Sequence, residues 1–246
     1  MRTIALIAAR MGSERLPGKV LKPLSGIPSM VHIFNILNEV KNIDGYAVVT
    51  SVLEEDDEIE KICSIHGVKC IRGSVHDVLD RFRLAAGLLM PDIIVRVTGD
   101  DPLMDPEIIE KVISEHLAGD NDYTSNIEER TYPRGMDTEV INLSALEKCW
   151  RESSDKDDHE HVTLYIRRNP DKFKIKSVKR NGSYAGDLRL CLDTEEDYLL
   201  VKKIYEKLYS GKVIKLDAVL NLLEKEPELR QINEHIQQKK VKDKIF

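Results

Sequence analysis

A chain of 246 residues has room for one large α/β domain, or one domain with an insertion, and its 41 % hydrophobic content suffices for a packed core. Its net charge of −6 excludes the broad basic footprint of a nucleic-acid-binding protein, although a local cluster of Arg and Lys can still hold a small anion. No stretch reaches the roughly 20 apolar residues of a membrane span.

Residues 3–9 form a short apolar run, read as a strand buried on both faces rather than a signal peptide. Met30, Ile33, Leu37 and Val40 then recur at helical spacing. A strand at 46–50, a helix through Ile59, Ile62 and Ile65, a strand at 68–71, a helix at 79–89 and a strand at 93–98 follow. Such alternation predicts crossover units and a mostly parallel sheet with helices on both faces, a three-layer α/β fold.

After a helix at 107–117 the pattern loosens. Residues 119–131 read as a polar loop, Pro133-Arg134-Gly135 as a turn, 138–142 as a strand and 144–151 as a helix. A charged stretch at 153–160 leads into a helix containing Val162, Tyr165 and Ile166. Strands are expected at 172–178 and 188–192, and a helix at 198–208. On this reading the chain is one domain, with an inserted subdomain at about 120–187 and a return to the main sheet from Leu188. The charge run at 237–244 is expected to fray. Cys63, Cys70, Cys149 and Cys191 form no CxxC pair and are read as reduced core residues of a cytoplasmic protein.

Polar segments directly follow four of the expected strands: 10–19, 72–74, 99–102 and 193–195. In open parallel sheets the ligand crevice lies beyond the carboxyl ends of the strands, so these distant segments are expected to converge. The first, ARMGSERLPGK, combines glycines with Arg10, Arg15 and Lys19, the ingredients of a phosphate cradle. It is not a Walker loop, because five residues separate Gly12 from Gly18 and Val20 stands where Ser or Thr would meet magnesium. In GDDPLMDPE, Asp105 before Pro106 reads as a helix N-cap. Asp100 ends a strand, where a carboxylate can reach a magnesium ion that also holds substrate phosphates. Asp101 is read as supporting that site or facing solvent. LDTEEDY is a good helix start, with Asp193 or Thr194 as cap, and taken alone it favours Asp193 as a cap over a ligand. His159 and His161 lack a third ligand for zinc and are expected to be exposed.

Five segments occur in order: IAARMGSERLPGKVLKPLSGIPSMVH, RVTGDDPLMDPEII, YPRGMDTEV, HEHVTLYI and LDTEEDY. The set resembles the cytidylyltransferases of spore-coat polysaccharide biosynthesis, which are similar in turn to the enzymes that activate 3-deoxy-manno-octulosonate and neuraminate as CMP-sugars. The resemblance covers roughly residues 1–208. It implies a nucleotide-diphospho-sugar transferase fold, CTP and a sugar or sugar-acid acceptor as partners, and an inserted arm through which relatives form homodimers. It implies that the loop from Gly12 to Lys19 binds the triphosphate and that Asp100 and Asp193 hold Mg2+, which raises Asp193 from cap to ligand. Ala8, Ala9, Arg10, Ser13, Thr98 and Gly99 join the nucleotide site. Arg72 with Asp80 and Arg81 resembles the family stretch beside the nucleotide, against the alternative of a solvated helix face. Arg134, Asp137 and Glu139 are assigned to the acceptor pocket, and His161 matches the family's acceptor-site position. The central segment lacks the family's sugar-acid recognition sequence, while Asp101-Pro102 echoes octulosonate-specific relatives.

The chemistry implied is in-line attack of a sugar hydroxyl on the α-phosphate of CTP, with pyrophosphate leaving, for surface polysaccharide synthesis. Lys19 and Arg15, with Asp100, would carry catalysis by meeting charge on the transferring group. Two rivals remain open: the same fold with another nucleotide or a non-sugar acceptor, and a metal-dependent glycosyltransferase.

Overall fold

A computed structural model describes residues 1–181, 185 and 187–238. Of the charge run at 237–244, residues 239–244 lie outside the described residues.

Seven strands make one sheet. They are β1 (Thr3–Ala8), β4 (Gly45–Ser51), β5 (Lys69–Gly73), β6 (Ile93–Thr98), β7 (Tyr123–Ser125), β8 (Glu139–Asn142) and β9 (Ile175–Ser177), in the order β5-β4-β1-β6-β8-β7-β9. Two two-residue strands, β2 (Pro23–Leu24) and β3 (Ile27–Pro28), form a separate hairpin. The pairs β5-β4, β4-β1 and β1-β6 are parallel, and β8 runs against both β6 and β7.

Side chains alternate across the sheet and both faces are covered, which is why the central strands β1, β4 and β6 read as largely apolar runs. Ala5 and Ile7 of β1 point to one buried cluster, shared with α1 (Ser29–Glu39), α2 (Asp57–Ile65) and α4 (Pro106–Leu117). Ile4 and Leu6 point to the opposite cluster, shared with α3 (Val78–Leu89), α5 (Leu143–Glu152) and α7 (Leu164–Arg168). The short helix α6 (Lys156–His161) packs beside α3, where Asp77 both caps α3 at Asp80 N (2.8 Å) and bonds His159 Nδ1 (2.7 Å). A third apolar cluster joins the β2–β3 hairpin to α8 (Glu195–Leu208), α9 (Leu216–Lys225) and the 3-10 turn Pro227–Ile232.

The chain departs from the sequence reading in four places. The polar loop at 119–131 contains β7, buried throughout. The strand expected at 188–192 reduces to an isolated parallel bridge between Arg134 and Arg189, so the chain does not re-enter the main sheet there. Instead the segment 120–187 itself supplies β7, β8 and β9 to that sheet. Val162 is not helical but a sharp turn, with φ 57° and ψ −55°.

Between β1 and β6 the winding reverses: α1 leaves toward one face of the sheet and α3 arrives from the other. A crevice opens at such a switch point, beyond the carboxyl ends of the two strands. The loops after β1 and β6 both begin there.

Candidate active site

The loop after β1 is held at both ends by backbone chemistry. Asp56, fully buried, accepts from Met11 N (2.7 Å) and from the backbone and hydroxyl of Ser51. Gly18 adopts φ 66°, a conformation costly for other residues, and its N–H closes the loop on Met11 O (3.0 Å). Leu16 is buried in the third apolar cluster, so the side chains around it are presented outward. The loop after β6 comes close because Gly99 has no side chain. A Cβ there would stand 2.9 Å from Ala9 Cβ and 3.0 Å from Ala8 O, and Gly99 N bonds Ala8 O at 2.8 Å. Ala8, Ala9, Gly12 and Gly99 therefore shape the loops and do not line the cleft.

The cleft has a volume of about 710 Å3. Arg10, Ser13, Arg15, Lys19, Thr98, Asp100 and Asp193 line it, and Arg134, Asp137, Glu139 and His161 belong to the same cavity. At its centre Lys19 Nζ lies 2.5 Å from Asp100 Oδ2 and 3.2 Å from Asp193 Oδ1, joining the ends of segments 93 residues apart in sequence. Burial alone would lower the Lys19 ammonium, but Asp100 and Asp193 outweigh it and raise it above the ordinary lysine value. Arg15 pairs with the other oxygen of Asp193.

Helix α8 settles which residue is the cap: Thr194 Oγ1 accepts from Asp197 N (3.2 Å), leaving the Asp193 carboxylate to face Arg15 and Lys19. Asp105 caps α4 at Glu107 N (2.9 Å) with Pro106 in the first turn, as its sequence indicates. Asp101 is buried, not solvent-facing. The Thr98 hydroxyl donates to it, and burial together with the Asp100 charge pushes its carboxyl well up.

Arg72, Asp80 and Arg81 do not line the cleft, although Arg81 feels the charge of Arg10, which does. Strand β5, which carries Arg72, is two strands out from β1, about 10 Å along the sheet. Its guanidinium is spent on Asp57 (2.6 Å), Glu60 (2.8 Å) and the carbonyls of Ser51 and Leu53. Asp80 faces Arg83 at 3.5 Å. Arg81 is buried, and its Nε and Nη1 have no partner among the described residues; burial, then the Arg10 charge, lower its pKa.

The wall expected to take the acceptor is built on a buried network. Glu139 pairs with Arg96 of β6 and accepts from Tyr123 Oη (2.7 Å) and Thr163 Oγ1 (2.5 Å). Burial would raise the Glu139 carboxyl, but Arg96 and the two hydroxyls hold it below the usual value. Glu139 thus serves the cleft wall through its partners. Asp137 takes a bidentate Arg130 at 2.7 and 2.9 Å, and Arg167 pairs with Glu128. Arg134 lines the cleft with no side-chain partner among the described residues; burial, then Arg130, lower its pKa. His161 is half-buried there, and His159 is paired with Asp77, so neither histidine is simply exposed. No group of three metal-ligating side chains occurs among the described residues.

Several contributors escaped the sequence reading. Asp56, in an acidic turn before α2, and Arg96, within β6, are single charged residues in ordinary contexts. Arg189 is buried against Asp197 (2.9 Å) and lies 3.8 Å from Asp193, in a network where the Asn233 amide donates to Asp197 Oδ1 (2.8 Å). Its position four residues before Asp193 was the available signal.

The cytidylyltransferase family model matches residues 4–241. The chain is 35 % identical over 229 residues to the Bacillus subtilis spore coat polysaccharide biosynthesis protein SpsF, covering 91 % of this chain and 94 % of that one. It is 32 % identical over 174 residues to a 3-deoxy-manno-octulosonate cytidylyltransferase of Anaeromyxobacter, covering 69 % and 64 %. A solved cytidylyltransferase structure from Leptospira borgpetersenii superposes with a TM-score of 0.90 at 33 % identity, over 97 % of this chain and 100 % of that one. With the fold and the matched length agreeing, the chain belongs to the cytidylyltransferase family of nucleotidyltransferases.

Proposed function

We propose that this protein transfers CMP from CTP to the hydroxyl of a sugar acid with Mg2+, releasing pyrophosphate, in the synthesis of a surface polysaccharide. The observation that carries the reading is the meeting of Lys19, Asp100 and Asp193 at the mouth of the β1–β6 switch point, in a cleft large enough for two substrates. Two carboxylates that converge on one cationic centre suit Mg2+, which takes one or two carboxylates and fills its shell with phosphate oxygens and water. Asp100 and Asp193 would hold the ion, and when bound it neutralises phosphate charge. Arg15 and Lys19 bind the triphosphate and meet charge as it develops on the transferring and leaving groups.

Charge pairing in the cleft supports an acidic acceptor. In this half of the site Arg96, Arg130 and Arg167 each have a carboxylate partner, whereas Arg134 has none among the described residues. A single uncompensated guanidinium matches the one charge of a carboxylate, and a planar fork suits it. The names of the relatives agree: one is an octulosonate enzyme and another serves spore-coat polysaccharide. A homodimer, as in related enzymes, completes the proposal, and light scattering coupled to gel filtration would test it.

The decisive experiment is a screen for pyrophosphate release with four nucleoside triphosphates against sugar acids, neutral sugars and sugar phosphates, with and without Mg2+. Release confined to CTP, Mg2+ and a sugar acid is expected. A preference for another triphosphate or for a phosphorylated acceptor would overturn the corresponding part of the reading.

A further inference from the structure

The turn at Val162 is costly. Its φ of 57° and ψ of −55° define a γ-turn of the rarer, positive-φ hand, closed by Thr163 N on His161 O at 2.5 Å. A β-branched residue at positive φ is an outlier, and strain of this kind persists only where surrounding packing imposes it. Here that packing is evident: the Val162 side chain is fully buried in the cluster under α3 and α5, and Thr163 is anchored on Glu139. Apolar burial on one side and a hydrogen bond on the other fix the turn, and its first residue, His161, is thereby aimed into the cleft. The imidazole makes no side-chain hydrogen bond among the described residues, in contrast to His32, His116 and His159, each of which has a partner. It shares the cavity with Lys19, Asp100 and the unpartnered Arg134.

We propose that His161 is the general base of the transfer, taking the proton of the acceptor hydroxyl as its oxygen attacks the α-phosphorus. This rests on the CMP-transfer reading above. The new O–P bond forms as the bond from the α-phosphorus to the bridging oxygen breaks. Pyrophosphate leaves with that electron pair, and the imidazolium returns its proton to water at the cleft mouth. Charged groups face the ring from three elements: Asp157 and Glu160 on α6, Arg96 on β6 and Arg168 on α7. Burial is the largest influence and keeps the imidazole below its usual pKa, Glu160 opposes it, and Arg96 and Arg168 act with burial. The ring is therefore neutral near pH 7, the state a base requires.

The test uses the full chain with CTP, Mg2+ and the sugar acid that supports most pyrophosphate release. His161→Gln should lower kcat by about 10²- to 10⁴-fold, leave the thermal shift with CTP and Mg2+ intact, and abolish the acid limb of the kcat/KM profile. His161→Gly should regain activity with added imidazole, in proportion to its neutral fraction. A kcat within threefold of the parent, or an unchanged acid limb with no imidazole rescue, would overturn the assignment. Histidine NMR offers a second check: the ring should titrate below the ordinary histidine value, and one titrating well above pH 7 would contradict the neutral resting state. If the parent protein releases no pyrophosphate with any sugar acid, the transfer reading itself fails and the base assignment goes with it.

Discussion

Thr194 and Asp193 stand side by side with separate duties, one capping α8 and one facing two cations, so each can be altered without the other. Thr194→Ala should cost about 1 kcal/mol of stability while preserving the response to nucleotide. Asp193→Asn should do the reverse: the melting temperature without ligand changes little, and the extra stabilisation by CTP with Mg2+ disappears in a thermal-shift series. Retention of that stabilisation would remove Asp193 from the site. Lys19 allows a test by pH. Its ammonium is held above the ordinary lysine pKa, so its contribution to stability is complete below about pH 10.5 and fades only as pH rises through the higher folded value. In urea melts the difference between the parent and Lys19→Met should stay constant between about pH 6 and 9 and narrow only in stronger alkali. Arg10, Arg15, Lys19 and Asp100 stand out in the sequence because each lies in a polar segment that follows a strand. Asp193 needed the family resemblance, since a cap and a ligand look alike one residue apart. Arg189 and Asp56 were not legible, because their partners are 8 and 45 residues away and are supplied by the fold.

Among the elements, the turn at Gly135 is pressed closest against other backbone. Its φ is 96°, and a Cβ there would lie 2.6 Å from the Leu190 carbonyl carbon and 2.8 Å from Cys191 N. Backbone cannot yield as a flexible side chain can, so Gly135→Ala should push the turn bearing Arg134 and Asp137 away from the segment bearing Asp193. A stability loss of about 1–3 kcal/mol is expected, with acceptor KM rising more than CTP KM. Equal changes in both would mean that the two halves of the cleft are not set by this contact. Long periodic elements such as α1, α3 and β6 declare themselves by spacing. The three residues of β7 do not, because so short a strand in a polar stretch has no period to detect, and β-pairing with β8 and β9 is what makes it. The bridge at Arg134 and Arg189 reads as a strand for the opposite reason: Leu188, Leu190 and Leu192 alternate, yet they pack into the third apolar cluster instead of pairing in the sheet.

For the whole molecule, the three layers bury His32 and His116 completely enough that burial, outweighing their hydrogen bonds, lowers both pKa values, as it does for His161. The unfolded chain takes up protons at these rings near pH 6.5 while the folded chain resists. Stability is therefore full above that value and lost as pH falls through the lower folded values. Chemical denaturation should show unfolding free energy declining from about pH 6.5 to 5.5, with His116→Gln reducing the slope by roughly one proton. A flat profile over that window would mean that the rings protonate freely in the folded state. No helix among the described residues is long and apolar enough to cross a membrane.

The Lys19 bridge has a consequence for the order in which ligands arrive. With the triphosphate absent, the ammonium is a tethered competitor for the very oxygens the proposed divalent ion would need, held beside them by the chain itself. Phosphate oxygens offer that ammonium an alternative, and once it turns to them the two carboxylates are released for a metal. Ion and nucleotide should thus enter as a pair: Mg2+ alone scarcely shifts the melting curve, CTP alone shifts it modestly, and the two together exceed the sum. Lys19→Met should weaken this synergy by letting the ion bind first, leaving only the coupling that phosphate oxygens supply by completing the ion's shell.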